Sequence, residues 1–223
     1  MELTPVNAIQ DLSYTGMLPA YVEHVNLLPY YGPDIPVAYS CMNARDEDKG
    51  LLLGRLINTL NRFDKSSTPP KDPSSYTLRN DDLGRPFLYF GTIKGPSVSF
   101  SHLPGSTWAA MSRVKRLGID AALPGEFNEH YPFHKVFSKN EFGHALKLCG
   151  GVLADASALL WSAKEAAVKA MGCGFHLFGP LEIKIGEFQH SLEGFTGTVD
   201  AGIKVPFRAV RKEPAWVSLA WIS

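Results

Sequence analysis

The sequence has few cysteines and no excess of charge of either sign, and each absence excludes a class of protein. Only three of the 223 residues are cysteine, and Cys41, Cys149 and Cys173 are widely spaced without a CxxC pair. This pattern predicts neither a disulfide framework nor a zinc site. The 22 basic residues balance the 22 acidic residues, so the chain as a whole has no field that attracts nucleic acid or an anionic membrane.

The sequence also lacks the segments that direct a chain to a membrane. No stretch approaches the roughly 18 consecutive apolar residues that a spanning helix needs. The amino terminus, MELTP, has no basic region followed by an apolar stretch, which is unlike a signal peptide. Basic stripes and aromatic platform motifs typical of nucleic-acid binding are missing too. We therefore expect a soluble, cytoplasmic, monomeric protein with neither a membrane nor a nucleic-acid partner.

What is present is a mixture of helical and strand-like patterns that predicts an α+β protein. Apolar spacing predicts helices at 46–61, 139–148 and 153–171. Alternation and β-branched or aromatic residues predict strands at 87–90, 98–101, 108–112, 117–121, 181–185, 195–199, 205–210 and 215–222. Residues 1–40 contain many prolines and are predicted to be extended or looping, and the polar segment 64–82 to be a surface loop.

One helical segment, WSAKEAAVK, carries candidate functional residues. Trp161, Glu165 and Lys169 lie four residues apart and therefore share one stripe of the predicted helix. The simplest interpretation is a Glu–Lys surface pair beside a packed tryptophan. The alternative places the pair at a cleft, where the carboxylate holds a hard metal ion and the ammonium holds a phosphate.

Four further segments present single polar side chains next to strands or turns. Asp120 ends the apolar strand of LGID, where it caps a turn or offers a carboxylate. Ser101 and His102 end the strand of SFSH, in a structural or a phosphate-contacting role. Arg85 lies in the turn LGRP, which is otherwise a plain surface loop. In FSKNE, Ser138 and Glu141 have the spacing of a helix capping box.

In their order along the chain, LGRP, SFSH, LGID, FSKNE and WSAKEAAVK resemble the 4′-phosphopantetheinyl transferase superfamily. The resemblance covers residues 83–174 and looks most like the larger, surfactin-synthetase-activating type. It implies an α+β fold of two similar α/β lobes related by pseudo-two-fold symmetry, with the active site between them. We expect an amino-terminal lobe at 1–115 and a carboxy-terminal lobe at 116–223 that carries the metal site.

The resemblance also implies a reaction and roles for these residues. The enzyme would transfer the 4′-phosphopantetheine group of coenzyme A to a serine of an apo acyl or peptidyl carrier protein, with magnesium, and release 3′,5′-ADP. Magnesium would be bound by Asp120 and Glu165. Coenzyme A phosphates would be contacted by the remaining polar side chains: Arg85, Ser101, His102 and Lys169.

The catalytic residues implied by the resemblance are Glu165, Lys169 and Glu141. The serine proton would go to Glu165 or to a metal-bound water, with Glu141 a further candidate. The sequence departs from the larger members at Ala122, where their G-[IV]-D-x-E pattern has a second acid. The residues that hold the 3′-phosphate and the adenine are not identified.

Two alternatives remain open at the level of sequence. The first is a degenerate relative with the same fold that binds coenzyme A or a carrier protein without transferring anything. The second is a hydrolase that uses His102 or a cysteine, although the sequence has no G-x-S-x-G elbow.

Overall fold

The computed structural model describes residues 22–27, 35–42, 49–63, 73–113, 116–175, 177–186, 188–191 and 194–222. These residues form two antiparallel sheets and four α-helices, so the predicted α+β class is confirmed. The pseudo-two-fold relation and the division into lobes at residue 115 stay predictions. Predictions for residues 1–21, and for the other gaps, lie outside the described residues.

The first sheet has six strands and is covered by one helix. In spatial order its strands are β1-β2-β6-β5-β4-β3, namely β1 Val22–Leu27, β2 Ile35–Met42, β3 Thr77–Asn80, β4 Pro86–Phe90, β5 Ile93–Leu103 and β6 Ser106–Ser112. Helix α1, Lys49–Phe63, packs its apolar stripe on this sheet. Leu56 and Ile57 are almost completely buried there with Val98 and Met111, which explains the leucine-rich pattern of the helix.

The second sheet is formed by the carboxy-terminal strands. Its strands are β7 Arg116–Ala122, β8 Lys184–Ile185, β9 Gln189–Ser191, β10 Gly194–Asp200, β11 Lys204–Lys212 and β12 Ala215–Ile222. In spatial order they run β7-β12-β11-β10-β8, and β9 pairs with β10 outside this path. Strand β7 therefore lies at one edge of the sheet and pairs with β12 on its other side.

Helices α2 (Phe133–Val136), α3 (Lys139–Leu148) and α4 (Leu153–Met171) complete the carboxy-terminal half. Helix α4 lies across the second sheet and ends at Gly172, whose φ of 77° is the left-handed cap that glycine adopts most easily. Among the described residues no single helix is long and apolar enough to cross a bilayer; α3 and α4 meet that criterion only together, and they are bent by 118° at their junction.

Strand β7 and helix α4 approach each other unusually closely, and Gly118 makes this possible. A Cβ atom at position 118 would collide with the carbonyl oxygen of Ala166 on the helix. The helix face is itself lined with alanines that have no exposed surface, including Ala163 and Ala166. Strand β7, which carries Asp120, is thus held almost backbone to backbone against the helix that carries Glu165 and Lys169.

The differences from the predicted elements have simple physical causes. Helices 139–148 and 153–171 and strand 215–222 agree with the prediction, whereas the loop prediction for 64–82 is wrong at β3. Strand β3 is an exposed edge strand that pairs only with β4, so it shows no apolar alternation. Strand β8 has two residues where five were predicted, and β9 and α2 were missed because they are short.

Candidate functional site

A cavity of about 440 Å³ lies where β5 of the first sheet faces β7 and α4 of the second. Strand β5 contributes the SFSH segment, β7 contributes the end of LGID, and α4 contributes one stripe of WSAKEAAVK. The residues that line the cavity are Phe100, Ser101, His102, Leu103, Asp120, Ala121, Glu126, Trp161, Glu165 and Lys169. Three segments that are distant in sequence therefore meet at one place.

Asp120 and Lys169 form an ion pair at the floor of this cavity. Lys169 Nζ lies 2.6 Å from Asp120 Oδ1, and it also donates to the carbonyl oxygen of Ile119 at 3.2 Å. The Asp120 side chain is only 8% exposed, whereas that of Lys169 is 29% exposed. Burial raises the pKa of Asp120, while Lys169 and the Ser101 hydroxyl oppose that change. The ammonium therefore remains accessible to an anion while it holds the carboxylate.

Glu165 lies one helical turn before Lys169 and shares the cavity with Asp120. Burial, and then the negative charge of Asp120, raises the pKa of Glu165 to about 7. Two carboxylates therefore repel each other across the cavity with one ammonium beside them. Trp161, one turn earlier, stacks its ring on Phe175 at 5.2 Å and forms the apolar end of the stripe.

Ser101 and His102 occupy different environments although they are adjacent. The Ser101 side chain points into the structure, with 4% exposure, and its hydroxyl donates to Asp120 Oδ1 at 2.8 Å. His102 is exposed and lines the cavity. His102 is therefore the member of the pair whose side chain a ligand can reach directly.

Arg85 lies outside the residues that line the cavity. Its turn is built by Asp81, whose carboxylate accepts from the backbone N–H groups of Leu83 and Arg85 at 3.0 and 2.8 Å. The Arg85 guanidinium lies against Gly172 at the end of α4, and the Arg116 guanidinium lies next to it. The Arg116 guanidinium donates to the carbonyl oxygen of Met171. Burial, and then the nearby Arg116 charge, lowers the pKa of Arg85.

Glu141 also lies outside the cavity, in a buried ion pair. Its Oε1 atom lies 2.7 Å from Lys164 Nζ, and the two side chains are 1% and 0% exposed. The same carboxylate accepts from the backbone N–H of Ser138 at 2.7 Å and of Ile185 at 2.9 Å. The capping box predicted for Ser138 and Glu141 is confirmed. The predicted catalytic role of Glu141 has no support in this geometry, because its oxygens face the core.

Sequence reasoning missed Glu126, the third carboxylate of the cavity. It lies on a short 3₁₀ helix, Pro124–Glu126, directly after β7. Burial, and more weakly the Asp120 charge, raises the pKa of Glu126. Ala122, where the larger members of the superfamily carry a second acid, is 1% exposed and belongs to the apolar core. The sequence feature that could have identified Glu126 is its position four residues after Ala122, in a turn that begins at Pro124.

The donor set fits a hard divalent cation. Asp120 and Glu165 offer carboxylate oxygens at one cavity, and a divalent cation would relieve their mutual repulsion. Magnesium takes one or two protein carboxylates and completes its coordination with phosphate oxygens and water. The described residues contain no group of three or more His, Cys, Asp or Glu side chains arranged to hold a metal ion by themselves, so such a cation would depend on ligands from a substrate or solvent.

Comparison with known proteins agrees with the motifs from LGID onward, whereas LGRP and SFSH precede the matched residues. Residues 116–205 match the family model described as the 4′-phosphopantetheinyl transferase superfamily. The match includes β7, α3 and α4, and with them Asp120, Glu165 and Lys169. No curated protein matches the chain significantly. The resemblance to the superfamily is thus confirmed over residues 116–205, whereas the likeness to its larger type stays a prediction.

Proposed function

We propose, from the match of residues 116–205 to the 4′-phosphopantetheinyl transferase superfamily, that this protein transfers the phosphopantetheine arm of coenzyme A to a serine of an apo carrier protein. One observation carries the proposal. Asp120, Glu165 and Lys169, which the sequence assigned to this chemistry, line a single cavity together with His102. An isolated surface pair of Glu165 and Lys169 would have no reason to meet an aspartate from another element.

The pyrophosphate of coenzyme A would bind on the basic side of the cavity. The Lys169 ammonium is fixed by Asp120 and Ile119, yet it retains exposed surface and donor capacity. His102 is the second polar group within reach of an anion. Arg85 and Arg116 lie beyond the cavity at the end of α4, and we keep a nucleotide-side contact for Arg85 as part of the proposal.

Asp120 and Glu165 are the residues that would hold magnesium. When bound, the ion would neutralise charge on the pyrophosphate and on the departing 3′,5′-ADP. The chain's own contribution is to fix Asp120 between Lys169 and Ser101, so that one carboxylate is positioned before any ligand arrives. Glu165 approaches from the helix, one turn away from Lys169.

The transfer forms one bond and breaks one. The serine oxygen of the carrier bonds to the β-phosphorus, the bond from that phosphorus to the bridging oxygen breaks, and 3′,5′-ADP leaves with the electron pair. The serine proton needs an acceptor. Glu126 suits this role because it lines the cavity, is exposed and pairs with no cation among the described residues, and because its raised pKa makes it a better base than an ordinary carboxylate.

The carrier protein would approach the apolar end of the cavity. Trp161 lines that end and stacks on Phe175; two residues further along the chain, Leu177 is 69% exposed. Exposed apolar side chains beside a polar site are typical of a protein interface.

The proposal is tested by incubating the full chain with magnesium, coenzyme A and a panel of apo carrier proteins, followed by mass spectrometry of each carrier. We expect at least one carrier to gain a phosphopantetheine group on its serine. Lys169→Met should lower kcat on the order of 10²–10³-fold, because it removes a preorganised charge at the reacting phosphate. Lys147→Met is the matched control, since Lys147 is exposed on α3 and does not line the cavity.

Two results would count against the proposal. If no carrier is modified while coenzyme A still binds, the chain is a non-catalytic binding relative of the same fold. If Lys169→Met and Lys147→Met have the same activity as the unmodified protein, the cavity is not the site of transfer.

A further inference from the structure

We propose that Ser101 is a positioning residue that holds Asp120 and the edge of the second sheet, and that its side chain is not a coenzyme A contact. This inference rests on the proposed function, because it concerns the carboxylate that would bind magnesium. It departs from the role that the sequence resemblance implied for Ser101. The role of His102 is unaffected.

The argument begins with a strand edge that another sheet covers. Among the described strands β7 pairs with β12 alone, so its other edge presents backbone N–H groups without a strand partner. Strand β5 of the first sheet passes along this edge without pairing with it; the β5 backbone pairs with β4 only at 93–97 and with β6 at 97–103. Side chains of β5, and not its backbone, supply the hydrogen bonds to the edge of β7. Buried N–H groups need such partners.

Two serines of β5 supply these partners. Ser99 Oγ accepts from the N–H of Ile119 at 3.1 Å, and Ser101 Oγ accepts from the N–H of Ala121 at 3.0 Å. Both serines are buried, with 5% and 4% exposure. Residues two apart on a strand share a face, so the S-x-S spacing matches the spacing of the N–H groups along β7. The pair of serines joins the two sheets at the cavity.

Ser101 differs from Ser99 by one additional hydrogen bond. Its hydroxyl proton goes to Asp120 Oδ1 at 2.8 Å. A serine hydroxyl has only one proton to donate, so Ser101 can donate to a phosphate only by releasing Asp120. The Ser101 side chain is only 4% exposed, and its hydroxyl already donates to the Asp120 carboxylate. Its role is therefore to position that carboxylate.

The difference between the two serines provides a matched pair of variants. Ser99→Ala and Ser101→Ala each remove one link between a β5 hydroxyl and a β7 N–H, so both should lower the urea midpoint of unfolding by a similar amount. Only Ser101→Ala also removes the donor to Asp120. We expect Ser101→Ala to weaken Mg²⁺ binding, measured by calorimetry on the full chain, by roughly 10-fold to 100-fold relative to Ser99→Ala. Coenzyme A affinity measured without Mg²⁺ should be the same in both variants.

Further measurements distinguish this inference from the proposed function. Ser101→Thr keeps the hydroxyl and should restore Mg²⁺ binding. If no carrier is modified but the Mg²⁺ difference between Ser99→Ala and Ser101→Ala persists, the proposed function fails and the inference about Ser101 stands. Equal Mg²⁺ affinities in the two variants, or no Mg²⁺ binding by the unmodified protein, would overturn the inference. Weaker coenzyme A binding confined to Ser101→Ala would overturn it as well and return Ser101 to the phosphate-contacting role.

Discussion

Gly118 of β7 lies directly against Lys169 of α4: a Cβ atom at position 118 would be 2.7 Å from the Cβ atom of Lys169 and 2.6 Å from the backbone nitrogen of Ala170. No real Cβ atom tolerates such distances. The absence of a side chain at Gly118 therefore sets the distance between the strand that presents Asp120 and the helix that presents Lys169. The glycine of the LGID segment has a geometric role in the ion pair.

The first prediction concerns this close approach. Gly118→Ala should push β7 away from α4, lower the free energy of unfolding by about 2–3 kcal/mol, and weaken the Asp120–Lys169 pair. The urea midpoint of unfolding and the transfer activity should both fall. Gly143→Ala is the control, because its Cβ would meet nothing within 4 Å on helix α3, and the change should stabilise the protein by about 0.5–1 kcal/mol. Wild-type stability in Gly118→Ala would contradict this account.

The second prediction concerns the buried ion pair of Lys164 and Glu141. Lys164 Nζ also donates to the carbonyl oxygens of Val136 and Pro180 at 2.9 and 2.8 Å. Lys164→Met should therefore lower the free energy of unfolding by about 3–5 kcal/mol, because it leaves a buried carboxylate without its cation.

Urea denaturation at pH 7 measures this loss. Replacing both partners, as Lys164→Met with Glu141→Leu, should recover part of it, since no charge is then left buried. The control is Lys204→Met, because its ion pair with Asp200 is exposed and such pairs contribute about 0–1 kcal/mol. A small effect of Lys164→Met would indicate that the pair contributes little to the fold.

The third prediction follows from the pKa of Glu165, raised from 4.5 to about 7 mainly by burial. The folded protein then keeps a proton that the unfolded chain loses. The resulting stability is fully present below pH 4.5 and is lost as the pH rises through 7. Without magnesium, Glu165→Gln should therefore match the unmodified protein near pH 4.5 and exceed its stability by about 1–3 kcal/mol at pH 8.

Unfolding measured across this pH range tests the sign of the effect. Magnesium should reverse the order above pH 7, because it binds the ionised carboxylate of the unmodified protein and has a weaker site in the glutamine variant. A stability difference that does not change with pH would contradict the assigned pKa.

The fourth prediction concerns Glu126, the proposed proton acceptor. At saturating magnesium, which would keep Glu165 ionised, Glu126→Gln should lower kcat on the order of 10²-fold or more and remove the acidic limb of the pH–rate profile, with little change in the KM for coenzyme A. Glu129→Gln is the matched control, because Glu129 is exposed and does not line the cavity. An unchanged acidic limb in Glu126→Gln would assign the proton to another group.

The sequence predicted the long elements well because their burial leaves a clear pattern. Helix α4 has alanines and leucines on its buried face, and β12 is apolar almost throughout. The edge strand β3 was not predicted because most of its residues are exposed, so its sequence lacks the apolar alternation that marks a strand. Asp120, Glu165 and Lys169 were predicted together only because their motifs, taken in order, resemble those of the 4′-phosphopantetheinyl transferase superfamily. Glu126 was missed because it follows a short turn, and the buried pairing of Glu141 was missed because spacing does not reveal which partner lies across the core.

The tight contact between β7 and α4 has a consequence for how this protein can evolve. Beside the cavity residue Lys169, Gly118 of β7 and buried alanines of α4 such as Ala163 and Ala166 leave almost no room for a larger side chain. Adaptation to new carriers or substrates by enlarging residues of this contact would therefore lower the stability of the fold before it altered selectivity. Diversification should instead accumulate on exposed surface away from this contact, such as that at Leu177.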